Sequence, residues 1–104
     1  MARVAVLCPD LLFGSKVEGM LRAGGHEVLR GDAQGVDVLV VDLTAEEIDV
    51  DALGARDDAA TLGFYPHVDV EVRRRAEAAG FDMVVPRSRM NREGTALVER
   101  LVAG

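Results

Sequence analysis

The side chains most capable of chemistry stand directly after runs of apolar residues, in four short groups along the chain. The groups are Cys8-Pro9-Asp10, Asp42-Leu43-Thr44, Tyr65-Pro66-His67 and Pro86-Arg87-Ser88. A carboxylate such as Asp42 can accept a phosphoryl group, although that transfer needs a divalent cation to neutralise the moving charge. Cys8 would be a nucleophile if its pKa were lowered, and His67 a general base if a nucleophile lay within hydrogen-bond reach. Each residue also has a plainer interpretation, as a turn, core or loop residue.

A site for a small anion is a second possibility at the same groups. Arginine binds oxyanions through paired hydrogen bonds, and the N-terminus of a helix presents free N–H groups to them. Lys16 is the only lysine of the chain. In the opposing interpretation Ser88 caps the last helix, and nearby carboxylates neutralise Arg87. The full set of ligand-binding candidates is Asp10, Ser15, Lys16, Asp42, His67, Arg87 and Ser88.

The elements that position these groups follow from the apolar pattern. Short runs rich in β-branched residues predict strands at 3–8, 26–30, 37–42, 61–65 and 81–85. Stripes at helical spacing predict helices over about 11–23, weakly over 44–55, between Asp69 and Gly80, and from near Ser88 to near Ala103. Asp10 and Asp69 are expected N-caps, and the glycines at 24–25 and 80 are expected to end two of the helices.

Strands that alternate with helices predict an α/β protein with a mostly parallel sheet covered on both faces. We expect one domain over residues 1–104, with a flavodoxin-like, doubly wound five-stranded sheet in the order 2-1-3-4-5. Only six residues separate the predicted second and third strands, so the second crossover helix is missing or reduced. Since ligands in such sheets bind at the carboxyl ends of the strands, the four groups are expected to meet there.

Two segments, DVLVVDL and HVDVEVRRRAEAAGFD, resemble the receiver domain of response regulators, the CheY-like family. The resemblance covers nearly the whole chain. It places Asp42, at the end of the third strand, at the position of the phospho-accepting aspartate, and Ala79-Gly80 at the end of the fourth receiver helix. The segments DLLFGSK, FYPHVD and VPRSRM look like signature motifs of a small bacterial branch, which assigns no function.

Other positions depart from the receiver pattern. Receivers carry an acidic pair at the end of the first strand that holds Mg²⁺, and the matching residues here are Cys8 and Pro9, with Asp10 one residue later. Arg87 stands in place of the receiver lysine, and Tyr65 in place of a smaller hydroxyl residue. A lone aspartate is a poor site for a cation that prefers several oxygen ligands. We therefore expect a degenerate receiver with no metal and no cofactor.

Composition excludes several classes of protein. The chain has 104 residues, 49% hydrophobic and 29% charged, which is typical of a folded globular domain. It contains no apolar run near the ~18 residues of a membrane span and no signal peptide, so a cytoplasmic protein is expected. A net charge of −6 argues against nucleic-acid binding, and a single cysteine excludes an internal disulfide. The chain lacks G-x-G-x-x-G and P-loop motifs, which disfavours nucleotide cofactors.

Charge is divided unevenly along the chain. Residues 31–71 hold eleven acids and one base, whereas residues 72–104 hold seven arginines and four acids. This division indicates either solvated surfaces or a docking surface for a protein partner or a second copy of the chain. We expect a non-catalytic, receiver-like regulatory or protein-interaction module that could sense a small anion. The alternatives are a phospho-accepting receiver that uses Asp42 and a small enzyme that uses Cys8 or His67.

Overall fold

A computed structural model of the protein describes residues 1–31, 34–66 and 69–104. The strands are β1 (Arg3–Leu7), β2 (Glu27–Arg30), β3 (Val38–Asp42), β4 (Ala60–Tyr65) and β5 (Met83–Pro86). The helices are α1 (Leu11–Ala23), α2 (Val50–Gly54), α3 (Val70–Ala79) and α4 (Arg87–Ala103). The predicted order of strands and helices is confirmed.

The strands form one sheet in the order β2-β1-β3-β4-β5, and neighbouring strands are parallel. The predicted α/β fold class and strand order are therefore confirmed. In the register of the sheet, Leu7 of β1 aligns with Val41 of β3, Asp42 aligns with Phe64 of β4, and Tyr65 aligns with Pro86 of β5. These pairings bring the carboxyl ends of the strands to one edge, where the four chemical groups begin.

Each face of the sheet packs against its own pair of helices. α1 and α4 cover one face, where Val17 and Leu21 meet Met90 and Leu97 over the side chains of the central strands. α2 and α3 cover the other face in a second core. The β3 segment VLVV is buried on both sides, which explains why its apolar residues run without alternation.

Aspartates begin three of the helices. Asp10 accepts hydrogen bonds from the backbone of Leu12 and Phe13, Asp49 from Ala52, and Asp69 from Val72. The predicted caps at Asp10 and Asp69 are confirmed. The left-handed glycines that end helices are also present: Gly25 lies just after α1, and Gly80 follows α3 with a φ of 111°.

Several predicted boundaries are wrong; β5, for example, begins at Met83 and not at residue 81. The weak helix expected over 44–55 is reduced to the five residues of α2, because residues 43–49 form turns first. β5 was expected to stop before Pro86 but includes it. Ser88 does not cap the last helix, since Pro86 is the N-cap residue and Arg87 already opens α4.

β2 continues to β3 without a helix in the part of the connection that the structure describes. Seven residues lie between Arg30 and Val38, fewer than the dozen or more of an ordinary parallel crossover. The connection starts level with Val6 and ends beside Arg3, as the backbone bonds of Gly31 and Asp37 show. The predicted loss of the second crossover helix is confirmed for the described residues.

Edge strand β2 is tied to α1 by a buried acid that the sequence analysis did not single out. Glu18 is only 3% exposed, yet both its oxygens accept hydrogen bonds from Arg30, at 3.1 and 3.0 Å. A buried carboxylate is stable only when it is paired in this way. The Glu18–Arg30 ion pair therefore holds β2 against α1. In the described residues, no helix is long and apolar enough to cross a bilayer.

Candidate functional site at the strand ends

The candidate site lies where β1, β3 and β5 end at the same edge of the sheet. Asp10 follows β1 and opens α1, Asp42 is the last residue of β3, and Arg87 follows β5 and opens α4. Cys8 lies between β1 and Asp10. These four residues, together with Phe13 of α1, are called the strand-end site.

Asp10 has its two carboxylate oxygens committed to different partners. Oδ1 accepts hydrogen bonds from the backbone N–H groups of Leu12 and Phe13, both at 3.1 Å. Oδ2 accepts a charge-assisted hydrogen bond from Nη2 of Arg87 at 2.6 Å. The Arg87 guanidinium, followed by the Phe13 N–H bond, lowers the pKa of the Asp10 carboxyl. Asp10 is therefore held as a carboxylate that caps a helix and neutralises an arginine.

Arg87 is fixed by an aromatic ring as well as by a carboxylate. Its guanidinium carbon lies 4.0 Å from the centroid of the Phe13 ring, which is a cation–π contact. The Phe13 ring in turn lies 5.2 Å from the buried ring of Phe64. Arg87 Nε is buried and has no hydrogen-bond partner among the described residues. The guanidinium is thus held against the start of α1, where the Asp10 carboxylate accepts a hydrogen bond from its Nη2.

Asp42 caps the turn that follows β3. Its Oδ1 accepts hydrogen bonds from the backbone N–H and the hydroxyl of Thr44, at 3.1 and 2.9 Å. This confirms the interpretation of Asp42 as a turn cap. The carboxylate that neutralises Arg87 is that of Asp10, so a pairing of Asp42 with Arg87 is wrong. The other oxygen, Oδ2, faces the thiol of Cys8 at 4.0 Å.

Cys8 lies in an environment that disfavours the thiolate. Its Sγ is half-buried, 4.0 Å from Asp42 Oδ2 and 3.7 Å from the backbone oxygen of Asp10. Burial, and then the charge of Asp42, raises the pKa of the Cys8 thiol above its ordinary value. A nucleophilic cysteine needs the opposite shift. The condition on which the enzyme alternative depended for Cys8 is therefore not met.

The receiver resemblance implies Mg²⁺ at this edge, and the residues present do not suit it. Mg²⁺ requires nearly octahedral oxygen ligands. Here a thiol stands at Cys8, both oxygens of Asp10 are already bonded, and Oδ1 of Asp42 is bonded to Thr44. The guanidinium of Arg87 also places a positive charge against Asp10, where a cation would be repelled. No group of three or more potential metal ligands occurs among residues 1–31, 34–66 and 69–104.

The remaining candidates for the anion site are only partly brought together. Lys16 lines a cleft of about 470 Å³ with Asp10, Leu12, Phe13 and Arg87. Ser15 and Ser88 are exposed, on α1 and on the first turn of α4. His67 lies outside the described residues. Since Asp10 already neutralises Arg87, an anion would have to compete with this carboxylate.

Sequence reasoning missed the aromatic half of the site. In the sequence, Phe13 falls within the predicted first helix and Phe64 within the predicted fourth strand, positions that indicate packing and not a binding site. A cation–π contact joins residues far apart in the chain, and no local pattern marks it. The available signal was position: Phe13 lies three residues after Asp10, and Phe64 aligns with Asp42.

Replacing Arg87 with alanine is expected to raise the pKa of the Asp10 carboxyl towards its ordinary value. The folded-state pKa of Asp10 lies below the unfolded one, so its contribution to stability is present above about pH 4 and is lost as the pH falls through the folded pKa. In Arg87→Ala, the stability that is lost through Asp10 as the pH falls below about 4 should therefore be smaller. Carboxyl ¹³C NMR titration measures the pKa directly.

Arg89→Ala is the matched control for this titration, because Arg89 pairs with Glu93 on α4. It should leave the Asp10 titration unchanged. An Asp10 titration curve that is the same in Arg87→Ala and the native chain would contradict the assigned pair.

Comparison with solved structures identifies the architecture, whereas no family model and no curated protein matches the sequence. The receiver domain of Francisella response regulator 1452 has a TM-score of 0.84 at 14% identity, over 99% of this chain and 98% of that one. A response regulator receiver domain protein from Clostridium thermocellum has a TM-score of 0.83 at 12% identity, over 99% of this chain and 95% of that one. A LuxR-family two-component response regulator from Aurantimonas has a TM-score of 0.82 at 21% identity, over 100% of this chain and 86% of that one.

These neighbours match the fold of this chain from end to end, although their sequence identity is low. The resemblance seen in the sequence is thereby confirmed at the level of the fold. The chain has the flavodoxin-like fold of a response-regulator receiver domain.

Proposed function

We propose that the protein is a degenerate receiver module, one domain over residues 1–104, that signals through contacts with other proteins and does not carry out Mg²⁺-dependent phosphotransfer. The observation that supports this most is the 2.6 Å hydrogen bond between Arg87 and Asp10. It gives Asp10, the acid that follows the carboxyl end of β1, an internal cation. Phosphoryl transfer to an aspartate needs a divalent cation to stabilise the transferring oxygens, and this arrangement opposes its binding.

The main alternative is a receiver that accepts a phosphoryl group on Asp42. In its favour, Asp42 ends β3 at the carboxyl edge of the sheet and keeps one oxygen outside the Thr44 turn. Against it stand the thiol at Cys8 and the commitment of Asp10 to Arg87. The enzyme alternative receives no support at Cys8, whose raised pKa disfavours the nucleophilic form. Self-association through the opposite charges of the middle and C-terminal segments stays a prediction.

Incubation with acetyl phosphate and Mg²⁺ is expected to leave the mass of the protein unchanged. Intact-protein mass spectrometry at short times measures this, with a phosphorylatable receiver domain as the positive control for the donor. The matched variants are Asp42→Asn, which removes the candidate acceptor, and Asp49→Asn, which removes a carboxylate outside the site. A gain of one phosphoryl group that persists in Asp49→Asn and disappears in Asp42→Asn would overturn the proposal in favour of the alternative.

A further inference from the structure

We propose that an apolar groove beside the carboxyl end of β1 binds an amphipathic helix with a basic flank, supplied by a partner protein. This groove, the α2-side groove, is lined by Leu7, Pro9, Leu11, Ile48 and Ala52. It includes Cys8 of the strand-end site but shares no lining residue with the cleft of Arg87 and Lys16. The inference therefore does not depend on whether Asp42 accepts a phosphoryl group.

The first observation is that the groove lies where the chain lacks a covering helix. In a doubly wound sheet a helix follows each strand and packs back over the face beside it. After β2 the described residues form no helix, and the chain reaches β3 within seven residues. The groove begins at the end of β2, with Arg30 and Gly31, and continues past the end of β1 to α2. A partner helix placed there would start beside this short connection and extend to α2.

The second observation is the apolar lining of the groove. Two adjoining clefts, of about 370 and 270 Å³, share Leu7, Glu47 and Ile48. Leu11 is 70% exposed at the start of α1, although it is a large apolar residue. Leu7 and Ile48 are only half-buried by the chain itself. A continuous apolar strip of this kind, rimmed by polar groups, is typical of a binding surface.

The third observation is the charge of the rim, which selects the chemistry of the partner. Glu47 and Asp49 line the α2 side of the groove, Glu46 and Asp51 are close to them in the sequence, and all four are exposed. Within the described residues, no ion pair engages any of these acids. Arg30, which lines the β2 end of the groove, is already paired with Glu18. Lysine or arginine side chains flanking an apolar stripe would be attracted to this rim, and acidic ones would be repelled. The fitting occupant is thus a basic amphipathic helix, which places apolar residues in a groove at a spacing of three and four.

A synthetic peptide of about 18 residues, long enough to hold a helix, provides the test. Its leucines are spaced for one helical face and its remaining residues are lysine. Binding is measured by fluorescence anisotropy, and the contact surface by amide shifts of ¹⁵N-labelled protein. We expect saturable binding with shifts at Leu7, Leu11, Ile48 and Ala52. A scrambled peptide of the same composition and a leucine–glutamate peptide with the same spacing are expected to bind at least tenfold more weakly.

Leu11→Glu and its matched control Leu12→Glu separate the apolar contact from simple charge attraction. Both variants add the same negative charge, and both residues are exposed, at 70% and 88%, so neither substitution threatens the fold. Only Leu11 lines the groove, whereas Leu12 lines the cleft beside Arg87. Leu11→Glu should weaken binding at least tenfold even though it makes the protein more acidic, and Leu12→Glu should leave binding nearly unchanged.

Three results would overturn the proposal. The first is the absence of saturable binding, and the second is equal binding to both leucine variants or to the scrambled peptide. The third is a concentration-dependent dimer of the chain alone that Leu11→Glu dissolves in sedimentation experiments, which would assign the groove to a second copy. Each result is independent of the acetyl phosphate experiment, so the groove and the proposed function can fail separately.

Discussion

Replacing Phe64 with alanine is expected to lower the free energy of unfolding by about 3–5 kcal/mol. Phe64 is 1% exposed and lies in the core between the sheet and the α1–α4 layer, so its removal leaves a cavity that neighbouring side chains fill only in part. The same change removes the ring beneath Phe13, which holds the guanidinium of Arg87 at 4.0 Å. The variant should therefore be less stable and should also lose the fixed position of Phe13 and Arg87 in the strand-end site.

Urea unfolding measures the stability loss, and the Asp10 carboxyl titration reports on the site in the same variant. Phe64→Leu keeps most of the apolar volume and should lose less stability, which makes the prediction testable even if the alanine variant does not fold. Leu12→Ala, at an 88% exposed position, should change stability by less than about 0.5 kcal/mol. A loss below about 1 kcal/mol in Phe64→Ala would show that Phe64 is not the support assigned to it.

Gly54→Ala is expected to lower the free energy of unfolding by about 1–3 kcal/mol. A β-carbon at Gly54 would lie 2.5 Å from the backbone oxygen of Ala79, closer than any real contact. Gly80, the residue after Ala79, has a φ of 111° and is also close to Gly54, since a β-carbon built on it would meet the backbone oxygen of Gly54. Because backbone opposes backbone here, no side chain can rotate away, and α2 must separate from α3.

Gly19→Ala is the matched control for this substitution. Gly19 is exposed within α1, and a β-carbon there would meet nothing within 4 Å. The substitution should stabilise the protein by about 0.5–1 kcal/mol, because alanine restricts the unfolded chain and suits a helix. Thermal or urea unfolding should therefore shift in opposite directions for the two variants. A neutral or stabilising Gly54→Ala would contradict the close approach of α2 and α3.

Local patterns were enough to predict the fold. The apolar run before Asp42, the caps at Asp10 and Asp69 and the glycine at Gly80 each act within a few residues, so their consequences can be worked out from the sequence alone. The short β2–β3 connection was equally visible, because its length rules out an ordinary crossover helix. The errors fall at element ends. Pro86 extends β5 by pairing with Tyr65, which only the register of the sheet determines.

The arrangement of the site could be predicted only in part. The sequence placed Asp10, Asp42 and Arg87 at one edge, but which carboxylate receives the guanidinium depends on how α4 begins. Since α4 opens at Arg87 itself, the side chain reaches over Phe13 to Asp10, a residue 77 positions away. Glu18 was missed for a related reason. An acid on a helix is normally exposed, and here the tertiary position of Arg30, together with the pair that Glu18 forms with Arg22, makes its burial tolerable.

A Mg²⁺ titration of the native protein tests most directly whether Arg87 has replaced a cation at Asp10. Amide shifts of residues 8, 10–13 and 42–44 are followed by ¹⁵N NMR as Mg²⁺ rises into the millimolar range, with ionic strength kept constant by sodium chloride. The Arg87–Asp10 pair predicts no saturable shift at these residues. Saturable shifts centred on Asp10 and Asp42, abolished by Asp42→Asn and unchanged in Asp49→Asn, would contradict it and show a working cation site.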